Sequence, residues 1–232
     1  MIKITINKAY RNFKEGDVFE LRTSEKPLFI VAENGSGKTS LLAGIRGIKD
    51  SLKNINKKIF DGMSSVQQKV AASEFKACTT VEGLEGFDEV FCCDRISDDP
   101  TSMELAATCT GFITGGGYRA QRLSGGQKSI MMLSNFIAKI SKVHEKDKKA
   151  LIIFDEMDTG LSMVMQQRYV DKTKKILEKY GIENASLIFV THNPLTILGA
   201  KECTIYELDL KAYYDDPKEW FEDTTGYELE RN

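Results

Sequence analysis

The 232-residue chain lacks an excess of charge of either sign: 32 Lys and Arg stand against 34 Asp and Glu, for a formal net charge of −2. No global basic field therefore concentrates nucleic acid on its surface. Long apolar runs are missing as well, and none approaches the length of a membrane span. The start, with Ile2 and Ile4 around Lys3, alternates like a strand and not like a leader peptide. A cytoplasmic protein with no membrane insertion is expected. The five cysteines, Cys78, Cys92, Cys93, Cys109 and Cys203, form neither an even framework nor a metal-ligand spacing. Cys92 and Cys93 fall in an apolar run with Val90 and Phe91, the usual setting of small buried thiols. Histidine is scarce, with two in the chain, and there are no internal repeats or low-complexity linkers. What is present is ordinary for one substantial core plus a lobe: 41% apolar and 28% charged residues.

Against this plain background one stretch stands out. Leu28, Phe29, Ile30, Val31 and Ala32 read as a buried strand. Asn34, Gly35, Ser36, Gly37, Lys38, Thr39 and Ser40 then turn into a helical run containing Leu41, Leu42 and Ile45. Gly35 and Gly37 let backbone N–H groups converge on phosphate oxygens, and the helix presents its positive end to them. Lys38 adds a mobile charge, and Thr39 offers a hydroxyl to magnesium, a hard ion that prefers oxygen. The first glycine of the usual phosphate loop is here Ala32.

A second anchor is the unbroken apolar run from Leu151 to Phe154, followed by Asp155 and Glu156. Without alternation, this strand is expected to be buried on both faces of a parallel sheet. Its acids emerge at the carboxyl end, where such sheets bind ligands. Asp155 is expected to hold magnesium, and Glu156 to polarise a water for in-line phosphoryl transfer. Farther on, Thr191 and His192 follow another apolar strand at residues 186–190.

In this order the residues resemble the ABC-type ATPases over roughly residues 1 to 208. The resemblance implies ATP with Mg2+ as the ligand and an ATP-dependent homodimer. Leu123, Ser124, Gly125, Gly126 and Gln127 look like the family's signature, which would grip the γ-phosphate bound by the opposite subunit. His192 resembles the switch histidine. Gln67 and Gln68 sit where the family carries its Q-loop, and Gln68 is favoured as the contact to magnesium and water. Asp158, Thr159, Gly160, Leu161 and Ser162 resemble the D-loop that crosses the interface, with Ser162 where Asp is usual. For adenine, the Tyr10 ring or the Arg11 guanidinium can serve equally. Residues 128–136 and the Asp155, Glu156, Met157, Asp158 run are most similar to SMC and recombination-repair heads. Those heads carry a long coiled-coil arm, whereas residues 68–123 include Gly83, Gly86, Pro100 and Gly115 to Gly117, which bar one.

The expected fold is therefore an α/β phosphate-loop ATPase of ABC type. An antiparallel N-terminal sheet from Ile2 to Leu21 and the phosphate loop occupy residues 1–67, and a small helical lobe spans 68–122. A mainly parallel core follows at 123–208, with strands at 151–156, 186–191 and 203–208, and an acidic, aromatic tail occupies 209–232. A protein partner could dock on the lobe or the tail. Lysines cluster at 139–149 and 172–179, where solvated helix faces compete with a nucleic-acid groove. Repair, replication or defence with a partner protein is the leading reading of the process. A transporter's ATP-binding subunit and a slow nucleotide-responsive scaffold are the alternatives.

Overall fold

The computed structural model describes residues 1–33, 35–49, 51, 77–94 and 124–229. Two sheets organise them. The smaller is antiparallel, in the order β2 (Val18–Leu21), β1 (Ile2–Ile6), β4 (Thr79–Glu82). In β1, Ile2, Ile4 and Ile6 are buried while Lys3 and Thr5 are half-buried, the alternation of a strand with one face on the core. Ile2 pairs with Leu21, and Ile4 with Phe19 on one side and Val81 on the other.

The larger sheet has six strands in the order β5 (Glu89–Asp94), β6 (Ala150–Asp155), β7 (Ala185–Val190), β3 (Leu28–Val31), β8 (Thr204–Glu207), β9 (Ala212–Tyr214). Every pairing is parallel except that of β9 with β8. All six residues of β6 are buried, because the sheet is covered on both faces. Alternate side chains go to opposite layers. Phe29, Ile152, Phe154 and Phe189 join one core with Phe136 of α2 (Gly125–Ile140) and Trp220 of α6 (Pro217–Thr225). Leu28, Ile30, Leu151, Ile153 and Ile188 join the other, against Leu41 and Ile45 of α1 (Lys38–Ile48) and the isoleucines of β1. Phe154 stacks on Phe189 at 5.0 Å between ring centroids, and Phe29 on Phe189 at 5.5 Å. Two short helices, α3 (Met163–Gln167) and α5 (Pro194–Leu198), and the longer α4 (Tyr169–Lys179) lie between α2 and α6 in the chain.

The expected division of the chain needs one correction. Residues 79–82 and 89–94, assigned above to a helical lobe, are strands, one in each sheet. Val90, Phe91 and Cys93 are fully buried, and β5 pairs in register with the whole of β6. The remainder of that stretch, 95–123, lies outside the described residues, as do 52–76. The tail is not a separate appendage either: β9 extends the large sheet, and Trp220 is 5% exposed in the core.

Candidate functional site

The order β6, β7, β3 brings three strand ends side by side. Asp155 is level with Val190, and Val190 with Ile30, so the segments leaving these strands emerge along one rim. From β3 comes the phosphate loop, from β6 the acidic pair, and from β7 Thr191 and His192.

In the loop, Gly35 has φ +87° and Gly37 φ +101°, conformations that side chains rarely adopt. A Cβ on Gly37 would also lie 2.6 Å from the Phe13 ring. Lys38 is buried, and its Nζ donates to the carbonyls of Ala32 and Glu33, both at 2.8 Å. Two of its three N–H donors are thereby spent on the loop, which leaves one for a phosphate oxygen. Thr39 is exposed at the first turn of α1, and the Ser36 hydroxyl oxygen is buried with no hydrogen-bond partner among the described residues. Asn34 lies outside the described residues.

The Tyr10 to Phe13 turn packs on the outside of this loop. Arg11, at φ 53°, donates from Nη1 to the Ser40 hydroxyl at 2.9 Å, and its guanidinium stands 5.3 Å from the centre of the Tyr10 ring. Asn12 donates from Nδ2 to the carbonyl of Gly35. Asn12, the neighbour of Arg11, thereby fastens the turn to the loop through a second side chain.

Glu156 has φ 52°, a costly conformation for a residue with a side chain, of the kind that gathers at functional sites. Its N–H donates to the Val190 carbonyl at 2.9 Å, which fixes the turn against β7. The carboxylate points to His192, with Oε1 3.5 Å from Nδ1, too long for a strong hydrogen bond. Both side chains keep solvent access, 34% for Glu156 and 45% for His192, so either can meet a ligand. Asp155 is buried beside them at the end of β6.

Asp158 departs from expectation. It does not project outward: it is 3% exposed, and its Oδ2 accepts from the Thr191 hydroxyl at 2.7 Å and from the Thr196 hydroxyl. Burial pushes its carboxyl above the ordinary carboxylate range, against the pull of those two hydroxyls and of nearby His192. Thr191 Oγ1 in turn accepts from the Asn193 N–H at 2.9 Å. The turn after β6 and the turn after β7 are thus one hydrogen-bonded unit, carrying Glu156 on one arm and His192 on the other. The sequence offered no signal for this link, since threonines bind carboxylates in no fixed spacing.

Ser124 caps α2 in a reciprocal box: its Oγ accepts from the Gln127 N–H at 3.3 Å, and Gln127 Oε1 accepts from the Ser124 N–H at 2.9 Å. Ser124, Gly125 and Gln127 are exposed, while Gly126 lies against the turn after Asp158. A Cβ on Gly126 would meet the Gly160 carbonyl oxygen at 2.9 Å. Ser129 Oγ donates to the Thr159 carbonyl at 2.6 Å, closing the same contact one turn later. Leu123, Gln67 and Gln68 lie outside the described residues.

No protein-family model and no curated protein matches the chain. Among solved structures, a dimeric ATP-binding cassette in a post-hydrolysis state with ADP and Pi is similar at 13% identity. That match has a TM-score of 0.48 and covers 93% of this chain and 98% of the other. An SMC head domain from Thermotoga maritima is similar at 14% identity and a TM-score of 0.43, covering 92% and 98%. A cassette from Clostridium perfringens, described as part of an ABC transporter complex, is similar at 16% identity and a TM-score of 0.45, covering 96% and 91%.

Proposed function

We propose that this chain is an ABC-type ATPase that binds ATP with Mg2+ and hydrolyses it in a site completed by a second copy. The observation that carries the reading is the rim itself: the phosphate loop, Glu156 and His192 leave the same ends of three adjacent parallel strands, where such sheets bind ligands. Lys38, the N-terminus of α1 and the two left-handed glycines supply the phosphate seat. The donor set is all oxygen, so it suits magnesium, which the Thr39 hydroxyl and the Asp155 carboxylate would hold, with Gln68 as a further ligand. Magnesium there would neutralise charge that develops on the phosphates.

Glu156 polarises the attacking water, and His192, linked to it through the Asp158 unit, contacts the terminal phosphate. The capped end of α2 completes the site from the other copy. Its exposed Ser124 hydroxyl and Gly125 amide are free to reach across, while Gly126 seats that helix on its own Gly160 turn. Asp158 therefore serves the machinery from inside its own subunit. Either Tyr10 or Arg11 covers the purine.

Replacing Glu156 by Gln is expected to lower ATP turnover at least about a hundredfold and to hold an ATP-dependent dimer through size exclusion. A variant that stays monomeric and turns over ATP at the wild-type rate would overturn the assignment. The process proposed is a nucleic-acid-related one with a protein partner, supported by the likeness of residues 128–136 to SMC and repair heads. DNA-stimulated turnover supports it. Co-purification with a membrane subunit supports transport instead, and very slow turnover with nucleotide-dependent partner binding supports a scaffold.

A further inference from the structure

Past the end of β8 the chain does something the motifs do not describe. The β3–β8 ladder closes with Leu208 N–H donating to the Val31 carbonyl at 2.8 Å. The next donor on the β3 side is the N–H of Glu33, inside the opening turn of the phosphate loop. Among the described residues no backbone carbonyl takes it. The Asp209 carboxylate does, with Oδ2 at 3.0 Å. The same turn is gripped from its other side by Lys38, through the carbonyls of Ala32 and Glu33. This is also the turn in which Ala32 occupies the place of the customary first glycine.

The anchor itself is well fixed. Lys211, at φ 52°, bonds Asp17 of the loop before β2 at 2.8 Å. Two residues on, the Tyr213 hydroxyl donates to the Glu20 carbonyl and accepts from the Arg22 N–H at 3.1 Å, with the Arg22 guanidinium 4.1 Å above its ring. The segment just after Asp209 is thus tied to the small sheet, while Asp209, itself exposed, follows directly on β8 and turns its carboxylate to the loop.

We infer that Asp209 is a positioning residue for nucleotide binding, a side-chain acceptor that sets the opening turn of the phosphate loop and so keeps Lys38 placed for phosphate. The inference rests on the ATPase reading for its functional arm. A charged acceptor on a backbone N–H is stronger than a neutral one, and the acceptor is what matters. Asparagine preserves it, because its carbonyl oxygen can take the same N–H, and also removes a negative charge from beside the triphosphate. Alanine removes the acceptor altogether.

The test uses the full chain with Asp209→Ala and Asp209→Asn and two measurements. In the absence of nucleotide, hydrogen exchange of a peptide covering residues 28–35 is expected to quicken in Asp209→Ala and to stay at the wild-type rate in Asp209→Asn, with unchanged melting temperatures. With ATP, Asp209→Ala is expected to raise KM about tenfold, the loss of one charge-assisted hydrogen bond, with kcat at saturation little altered, and Asp209→Asn, a weaker neutral acceptor, to recover most of that loss. Equal exchange and equal KM in wild type and Asp209→Ala would overturn the inference while leaving the ATPase reading intact. So would an Asn variant as impaired as Ala. A wild-type chain that binds no ATP sinks the ATPase reading and the functional arm together, and the exchange result still decides whether Asp209 holds the loop.

Discussion

Asp158 shows how one buried carboxylate can tie the turns after β6 and β7 together. Its neighbours are two threonine hydroxyls with a histidine nearby, and its burial makes the charged form costly. Because its folded-state pKa lies above its unfolded value, the folded protein holds this proton more tightly. Its contribution to stability is therefore full at pH below the unfolded value and is lost as pH rises through the folded value. Asp158→Asn carries no charge at any pH and can still accept from both hydroxyls. Urea denaturation across that window is expected to show the variant gaining on wild type as pH rises. At neutral pH its stability is expected to lie within about 1 kcal/mol of wild type. Asp158→Ala, by contrast, leaves two buried hydroxyl donors without an acceptor and is expected to cost about 1–3 kcal/mol. If Asn proves as damaging as Ala, the carboxylate's charge and not its two hydrogen bonds holds the turns.

At the scale of elements, the start of α2 answers a question the sequence raised, why a helix should begin with two glycines when glycine weakens helices. Gly126 is required by a neighbour, since a methyl group there would press on the Gly160 carbonyl at 2.9 Å. Gly125 has more room, its nearest atom being the Gly160 Cα at 3.6 Å. The two positions should therefore part company in stability measurements. Gly125→Ala is expected to be neutral or slightly stabilising, whereas Gly126→Ala is expected to destabilise, because a clash worth about 1–3 kcal/mol outweighs the gain in helix propensity. Equal denaturation midpoints for both variants would mean that the α2–Gly160 contact is looser than described. The run from Ser124 to Gln127 was legible in the sequence as a motif, but its capping box and its contact with Gly160 were not, the contact because it joins residues with no shared pattern. The same reason explains β5. Its apolar run was visible, yet its partner β6 lies far along the chain, and the length of the stretch suggested a lobe. By contrast β3, β6 and β7 were readable as continuous apolar runs followed by their motif residues, since burial on both faces leaves no alternation to misread.

For the molecule as a whole, the C-terminal segment decides how many cooperative units the described chain contains. Its acidic, aromatic composition pointed first to rings packed on the domain's flank, with a docking strip as the alternative. The structure threads it through the fold: β9 lengthens the large sheet, and Trp220 enters the core shared by Phe29, Phe154 and Phe189. Its indole N–H donates to Glu207 Oε2 at 2.9 Å. Burial raises the carboxyl of Glu207, and the indole bond opposes that shift, so the tail satisfies an acid that the end of β8 would otherwise strand. An element that supplies both core volume and a needed donor cannot detach without unfolding what it covers. Trp220 is the chain's one tryptophan, so its emission reports on this segment alone. In urea, its red shift is expected to share one midpoint with the loss of far-UV circular dichroism, as a single cooperative transition requires. A tryptophan transition at clearly lower urea would show the tail leaving first. The phosphate loop would then lose the Asp209 tether before the sheet that carries it unfolds.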